Sequence, residues 1–385
     1  MPEHTPERLR ARVDAFLRAN DPGGDRTAFL RARFDAGLAW VHFPPGLGGL
    51  GAPRHLQASV DEAFDRAGAP DNRPRRNSIG LGMAAPTLLR HGTAEQQRRW
   101  LRPLWTGEEI WCQLFSEPGA GSDLAGLTTR AVRDGDAWVV DGQKVWTSLA
   151  HRARWAILLA RTDPHVPKHR GITYFACDMT APGVEVRPLR QLTGEAEFNE
   201  VFLTGVRVPD AHRIGAVGDG WRVARTTLMN ERVAIGGLPL PREGGMIGPL
   251  ARAWRERPEL RTPGLHDEVL RAWVRAEAAR LTALRLRQQV AAGEPGPEGS
   301  AVKLSFAELA QWISGLEVEF LGAQGLRYDD WTPRRPVEPD LLGRTATYRY
   351  LRARGNSIEG GTSEILRTIV AERVLGLPRE PGVDR

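Results

Sequence analysis

The segment Ile358-Glu359-Gly360-Gly361-Thr362-Ser363-Glu364-Ile365 joins a carboxylate, two residues without side chains and a helix start. Thr362, Ser363 and Glu364 open an apolar run at helical spacing, Ile365, Ile369, Val370 and Val374, which Gly376 and Pro378 stop. A Gly-Gly turn ahead of a helix leaves backbone N–H groups open to an anion. An ordinary capped helix has the same letters, so this segment gains meaning from two others. In Trp111-Cys112-Gln113-Leu114-Phe115-Ser116-Glu117-Pro118-Gly119-Ala120-Gly121-Ser122-Asp123, a β-like run enters a glycine-rich turn with hydroxyls at Ser116 and Ser122. Lys144-Val145-Trp146-Thr147-Ser148 sets an indole two residues before a hydroxyl, and on a strand the two face the same way. An aromatic plane beside a hydrogen-bonding side chain suits a flat heteroaromatic ring. A core tryptophan and a turn serine is the plainer reading of the same residues.

These segments lie in three stretches of different periodicity, which predict an α+β multidomain chain. Residues 1–108 read as helical, with Leu9, Val13, Phe16 and Leu17 on one face. Ala28–Leu38, Ala58–Ala67 and Thr87–Leu101 repeat that spacing, the last with a break at Gly92-Thr93. Residues 109–215 read as an antiparallel β domain. There, the turns Asp134-Gly135 and Asp141-Gly142 flank Trp138-Val139-Val140, and Trp155–Ala160, Ile172–Cys177, Val184–Pro188 and Val201–Val208 are further β-rich runs. Helical spacing returns in 216–385, over Trp221–Ile235, Leu265–Ala291, Ser300–Leu321 and Tyr348–Leu375. Pro239, Pro241 and Gly244-Gly245 interrupt after the first of these, and Ala292–Gly299 is a Gly/Pro turn.

Composition narrows the function classes. The chain has 385 residues, 41% hydrophobic and 26% charged, as in water-soluble globular proteins. No run approaches the ~18 apolar residues of a membrane helix. Met1–Asn20 lacks the apolar core of a secretory signal, and Glu3, Glu7 and Asp14 argue against a transit peptide. The two cysteines, Cys112 and Cys177, have no metal-ligand spacing, so neither a metal site nor a disulfide framework is expected and a reducing cytoplasm fits. The net charge of +6 is carried almost wholly by arginine, lysine standing only at 144, 168 and 303. The arginines alternate with acids and form no block of the kind that binds nucleic acid. A polyanionic cofactor or a thioester carrier is the expected beneficiary of the positive field.

Taken together, Ser-Glu-Pro-Gly-Ala-Gly-Ser-Asp at 116–123, Gln-Lys-Val-Trp-Thr-Ser at 143–148 and Gly-Gly-Thr-Ser-Glu-Ile at 360–365 resemble the acyl-CoA dehydrogenase family, in its order and spacing, and the similarity runs from about Leu30 to Arg379. The resemblance implies an N-terminal helical domain, a central β-barrel-like domain and a C-terminal four-helix bundle. It implies FAD held between the last two, an acyl-CoA or related thioester as substrate, electron-transfer flavoprotein as acceptor and a homo-oligomer, commonly a tetramer. It implies that Gln113, Leu114, Ser116, Gly121, Ser122, Trp146 and Ser148 line the flavin, with Ser116 and Ser148 bonding its ring and Trp146 packed beside it. Thr362 and Glu364 match positions at the pyrophosphate and adenosine end; Glu364 would repel phosphate, which points it to ribose or adenine. Gln324 and Gly325 match a turn that contacts a neighbouring subunit's FAD. Ser122, Met229, Arg232 and Gly360 match substrate-side positions.

The chain departs from the family pattern at the base. Dehydrogenation of an acyl thioester needs a carboxylate to take the α-proton, and family members commonly place it immediately before Gly-Thr-Ser. Here that position is Gly360, with Glu359 one residue too early. Other members place the base in a Glu-Arg pair on the first bundle helix, matched here by Glu231-Arg232. Glu231 is therefore the expected base and Glu359 the alternative; a surface ion pair is the plain reading of Glu231. The N–H of Gly360 remains available to the thioester oxygen. The resemblance leaves two other readings open: an oxidase or flavin monooxygenase on the same fold, and a non-catalytic partner subunit that contributes FAD contacts to a mixed oligomer.

Overall fold

The computed structural model describes residues 4–236, 240–292, 296–328, 330–338 and 342–379. Pro239 and part of the 292–299 turn thus lie outside the described residues. The chain divides into two compact units, Met1–Leu189 with Glu197–Thr227, and Arg190–Ala196 with Leu228–Arg385.

The first unit opens with α1 (Pro6–Ala19), α2 (Arg26–Asp35), α3 (Gln57–Arg66), α4 (Ala85–His91) and α5 (Ala94–Thr106). Thr5 and Asp25 cap α1 and α2 by accepting from the Arg8 and Ala28 amides. Between α4 and α5 the chain extends at Gly92, and Thr93 with Gln96 forms a capping box, which explains the break expected there. Phe16, Phe29 and Phe64 meet edge to face at 5.3–6.2 Å. A π-helical turn, Gly80–Ala84, leads into α4. Before it, buried Asn77 donates to the Leu104 carbonyl and accepts from the Trp111 amide, both at 2.9 Å, tying the helices to the first strand.

Seven strands follow: β1 (Trp111–Leu114), β2 (Arg130–Asp134), β3 (Ala137–Ser148), β4 (Trp155–Arg161), β5 (Ile172–Asp178), β6 (Val184–Pro188) and β7 (Phe198–Pro209). Their order is β1-β4-β2-β3-β7-β6, with β5 paired to β4. The long pairings are antiparallel, while β1 runs parallel to β4. One sheet face buries Leu114, Val140, Leu158, Phe175, Val201 and Val206. The β3–β7 register shifts between Lys144 and Thr147, where Trp146 has φ 59°. The pleat argument for Trp146 and Ser148 does not hold across this bulge: an inserted residue breaks the period of two, so the bulge sets the direction of the indole.

The helix α6 (Gly220–Gly236) begins in the first unit and crosses into the second after Thr227. The second unit adds α7 (Ile247–Glu256), α8 (Pro263–Ala292), α9 (Gly299–Leu321), α10 (Ala346–Ala353) and α11 (Ser363–Ile369). Its core joins Ile247 and Leu250 of α7, Val269 and Ala272 of α8, and Ile313, Leu316 and Phe320 of α9. Two expectations are corrected. α7 was not anticipated, because the neighbouring Gly and Pro residues hid the spacing of Ile247, Leu250, Ala251 and Trp254. The stretch from Tyr348 to Leu375 is not one helix. α10 ends in a 3₁₀ turn over Arg354–Ser357, and Gly360 and Gly361, at φ 64° and 96°, reverse the winding before α11.

The loop after β1 depends on a buried ion pair. Lys144 and Glu117 expose 0% and 5% of their side chains. The Lys144 ammonium donates to Glu117 Oε1 and to the Phe115 carbonyl, each at 2.9 Å. Glu117 also accepts from the amide and hydroxyl of Thr128, both at 2.7 Å, and from the amide of Thr129 at 2.8 Å. Burial alone would raise the Glu117 pKa, but Lys144 and the threonine donors outweigh it and hold the carboxyl at about 2. Burial lowers Lys144 to about 8, with Glu117 offsetting part of the effect.

Breaking such a pair from one side costs about 3–5 kcal/mol, so Glu117→Gln should lose about that much in urea denaturation at pH 7. The folded pKa lies below the ordinary 4.5. The stabilisation is therefore complete above pH 4.5 and is lost as the pH falls towards 2. The gap between wild type and variant should narrow across that window, and a constant gap would contradict the assignment.

Candidate active site

In the first unit, the residues expected at a flavin come from the β1 loop and the β3 bulge. Gln113 is half-buried and Leu114 buried in β1, while Gly121 and Ser122 are exposed in the loop. The Ser116 carbonyl accepts from the Val145 amide at 2.9 Å, which brings the loop to the bulge. Farther along, Arg161 donates to the carbonyls of Ala125, Leu127 and Lys168 at 2.6–3.2 Å. Lys168 in turn pairs with Asp123 at 2.8 Å. The loop is thus held at Glu117 and again over 123–127, leaving Gly119–Ser122 exposed around Ala120.

Trp146 is 57% exposed and meets Phe198 edge-on at 5.8 Å. A left-handed backbone costs a non-glycine residue about 1–2 kcal/mol, and such strain concentrates at functional sites. Ser116 and Ser148 are half-buried, and their hydroxyls form no hydrogen bond among the described residues. Uncommitted donors beside an open aromatic face fit the isoalloxazine ring of FAD.

The second unit holds a cluster of charges around the Gly-Gly turn. Lys303 of α9 has no exposed surface. Its ammonium donates to the carbonyls of Asn356 and Gly361 at 2.8 and 2.7 Å, bracketing the turn. Glu359 is engaged at both oxygens: Asn356 Nδ2 donates to Oε1 at 2.5 Å, and Arg352 to Oε2 at 3.2 Å. Arg352 exposes 9% of its side chain, so this is a sheltered ion pair. The N–H groups of Gly360 and Gly361 donate to no acceptor among the described residues.

Met229, Glu231 and Arg232 are half-buried on α6. Burial lowers the proton affinity of Arg232 and Glu231 restores part of it; the Arg232 Nε is buried without a partner among the described residues. Burial lowers Lys303 as well, against the charges of Glu359 and Glu231, while Arg232 adds to the lowering. Glu231, Arg232, Glu359 and Gly360 are therefore brought together around Lys303.

Thr362 caps α11 by accepting from the Ile365 amide at 3.3 Å. Glu364 projects with 79% of its side chain exposed, 3.9 Å from Arg367. Gln324 is exposed and accepts from Arg257 at 3.0 Å, and Gly325 is buried at the end of the Gly322–Gln324 turn. That turn stands apart from the Lys303 cluster. Sequence reasoning gave no role to Lys303, Asn356 or Arg352. The signal for Lys303 was present, since it is one of only three lysines and sits between Val302 and Leu304 in an apolar stretch.

Three family models match the chain: Acyl-CoA dehydrogenase, N-terminal domain, over residues 6–108; middle domain, over 112–206; and C-terminal domain, over 218–375. The acyl-CoA dehydrogenase FadE34 of Mycobacterium tuberculosis is 43% identical over 90% of this chain, which spans only 45% of that relative. The acyl-CoA dehydrogenase IpdE1 of the same organism is 38% identical over 97% of this chain and 98% of its own length. Among solved structures, a steroid ACAD, Tcur3481-Tcur3483, aligns with TM-score 0.74 and 29% identity over 97% of this chain and 98% of that one. The ChsE4-ChsE5 complex of Mycobacterium tuberculosis aligns with TM-score 0.72 and 29% identity over 99% and 100%.

The left-handed turn makes a direct prediction. Gly360→Ala and Gly361→Ala should each lower stability by about 1–2 kcal/mol, visible as a lower midpoint of thermal unfolding. A neutral effect at both positions would show that the turn does not have this backbone conformation.

Proposed function

Because the chain belongs to the acyl-CoA dehydrogenase family, we propose that it desaturates an acyl thioester between Cα and Cβ, with Glu231 as the base that takes the α-proton. The observation that carries this assignment is the engagement of Glu359. Glu359 is held at both oxygens by Arg352 and Asn356, which fixes its carboxylate as part of the turn rather than leaving it to be aimed at a substrate carbon. Glu231 stands half-buried on α6 within the field of Lys303. The α-proton is weakly acidic, so the enolate oxygen must also be stabilised. The uncommitted N–H groups of Gly360 and Gly361 are suited to that oxygen. FAD, when bound, supplies the two-electron acceptor for the β-hydrogen. Ser116 and Ser148 would donate to its ring, Trp146 would cover one side, and Thr362 and Glu364 would meet its nucleotide end.

The proposed substrate class is a bulky acyl thioester. A glycine pair replaces the side chain that would otherwise project from the turn, which favours a bulky acyl group. The steroid named for the Tcur3481-Tcur3483 structure is of that kind. Electron-transfer flavoprotein is the proposed acceptor. A second reading is assembly with a different, related subunit rather than with identical copies. Two aligned structures named as pairs of gene products support it. No helix among the described residues is long and apolar enough to cross a membrane, and a cytoplasmic location is proposed with the function.

Purified protein should carry non-covalent FAD and show a two-band visible spectrum. Trp146→Ala should weaken FAD retention without unfolding the chain, since the indole is mostly exposed. Protein that stays colourless after FAD titration and desalting would remove the enzymatic reading. A panel of acyl-CoAs, from short chains to steroid side-chain thioesters, should identify a substrate by anaerobic bleaching of the flavin. Purification that yields colour only with a co-expressed related subunit would establish the mixed assembly.

With that substrate, Glu231→Gln should keep FAD and bind acyl-CoA, yet slow bleaching by about a hundredfold to ten-thousandfold. Glu359→Gln should cost far less, and the reverse ranking would make Glu359 the base. Reduced protein should pass electrons to electron-transfer flavoprotein faster than to oxygen. Rapid stoichiometric peroxide would instead identify an oxidase on the same fold.

A further inference from the structure

We infer that Lys303 is a positioning residue: its ammonium holds the 356–361 turn in the form that presents the Gly360 and Gly361 N–H groups, and it supplies a positive charge that acts on Glu231. The kinetic half of this inference rests on the dehydrogenase reading above; the structural half does not.

A fully buried lysine is costly unless its N–H groups are satisfied. Here two of the three are taken by carbonyls five residues apart, Asn356 at 2.8 Å and Gly361 at 2.7 Å. Everything between those two carbonyls, Glu359 and Gly360 included, forms a loop drawn closed on one nitrogen atom. Gly360 and Gly361, lacking a Cβ, leave the backbone little restricted, and have φ 64° and 96°. Without an anchor, such a pair samples many conformations, only some of which aim both N–H groups the same way. Lys303 sits on α9 next to Val302, which is buried with Ala283, Leu286 and Val290 of α8, so the anchor stands on packed helices.

The charges around it are Glu359 from the turn and Glu231 and Arg232 from α6, with Arg352 paired to Glu359. Coulomb coupling is mutual: the field of Glu231 that holds a proton on Lys303 is the field of Lys303 that keeps one off Glu231. Loss of Lys303 should therefore be felt as a change in the titration of the base as well as a loosening of the turn. Arginine could supply the charge, but its planar fork does not match two carbonyls converging on a single point. This accounts for a lysine at 303 in a chain that uses arginine almost everywhere else.

The test reads geometry and charge separately, on the FAD-loaded full chain. Hydrogen exchange reads geometry without a substrate. In wild type, the amides of Glu359 and Leu366, which donate to the Gly355 and Thr362 carbonyls, should be protected. In Lys303→Met they should exchange at least about tenfold faster, while amides in the middle of α8 keep their rates. Full exchange of the Glu359 amide at the open-chain rate in wild type would overturn the inference without any variant.

Anaerobic flavin reduction reads charge, using whichever acyl-CoA bleaches the wild type. Lys303→Met should lower the limiting rate by about tenfold to a hundredfold and move the acid limb of its pH profile up by about one unit. Lys303→Arg should return the limb towards the wild-type position. A folded Lys303→Met that loses rate with no movement of the limb has a structural lysine only, and the inference fails. If Met at 303 prevents folding, Lys303→Gln, which keeps a donor but not the charge, is read in the same two ways. Failure of every acyl-CoA to bleach the wild type would instead sink the dehydrogenase reading and leave the exchange result standing.

Discussion

Moving an ammonium group out of water costs several kcal/mol unless oxygen atoms replace the water it leaves. Each unit of this protein contains one such group with no exposed surface, Lys144 in the first and Lys303 in the second. Each draws a backbone carbonyl at a glycine-rich segment onto the nitrogen, Lys144 with a carboxylate beside it and Lys303 with a second carbonyl. Lys144 takes Phe115 and the Glu117 carboxylate; Lys303 takes Asn356 and Gly361. Glycine-rich segments, which have much backbone freedom, are thereby tied to a buried charge.

This explains why glycine-rich loops can carry a site at all. Glycine gives the backbone close approach and left-handed geometry, but it also gives freedom. The β1 loop is closed by Glu117, which gathers donors from Thr128, Thr129 and Lys144. It is steadied again by Arg161, which spans three carbonyls. In the second unit the Gly360–Gly361 turn is held from beneath by Lys303 and from the side by the Arg352–Glu359–Asn356 contacts. The same contacts occupy Glu359. A residue that reads in the sequence as a candidate base is, in the fold, part of the support for its neighbours, which is why the base is proposed on α6 instead.

Strain marks the third element. Trp146 has a left-handed backbone, and most of its indole is exposed. Neither is what packing would select for a tryptophan in a sheet. Both follow if the β3 bulge exists to turn an aromatic plane outward beside Ser148 and the Ser116 loop. Sequence shows the Trp-Thr-Ser letters, but a bulge depends on two strands being out of step, so its place is visible only once β7 is paired with β3.

Local patterns were legible without a structure. β-rich runs between turn residues marked β3 to β7, helical spacing marked α1 to α6, α8 and α9, and a Gly-Thr pair marked the break between α4 and α5. Three motifs in order identified the family and with it the arrangement of helical, sheet and helical regions. These are short-range properties, set by side-chain period and by the turn chemistry of Gly, Asp and Thr. What only the tertiary structure decided are pairings between distant residues. Lys303 stands 53 residues before Asn356, Lys144 27 after Glu117, and Glu231 more than a hundred before the turn whose chemistry it is proposed to serve. A sequence can supply a buried lysine, but it cannot say which carbonyls will meet it. That depends on how helices and strands pack, because an ammonium in low dielectric is tolerated only where the fold has already brought the oxygens together.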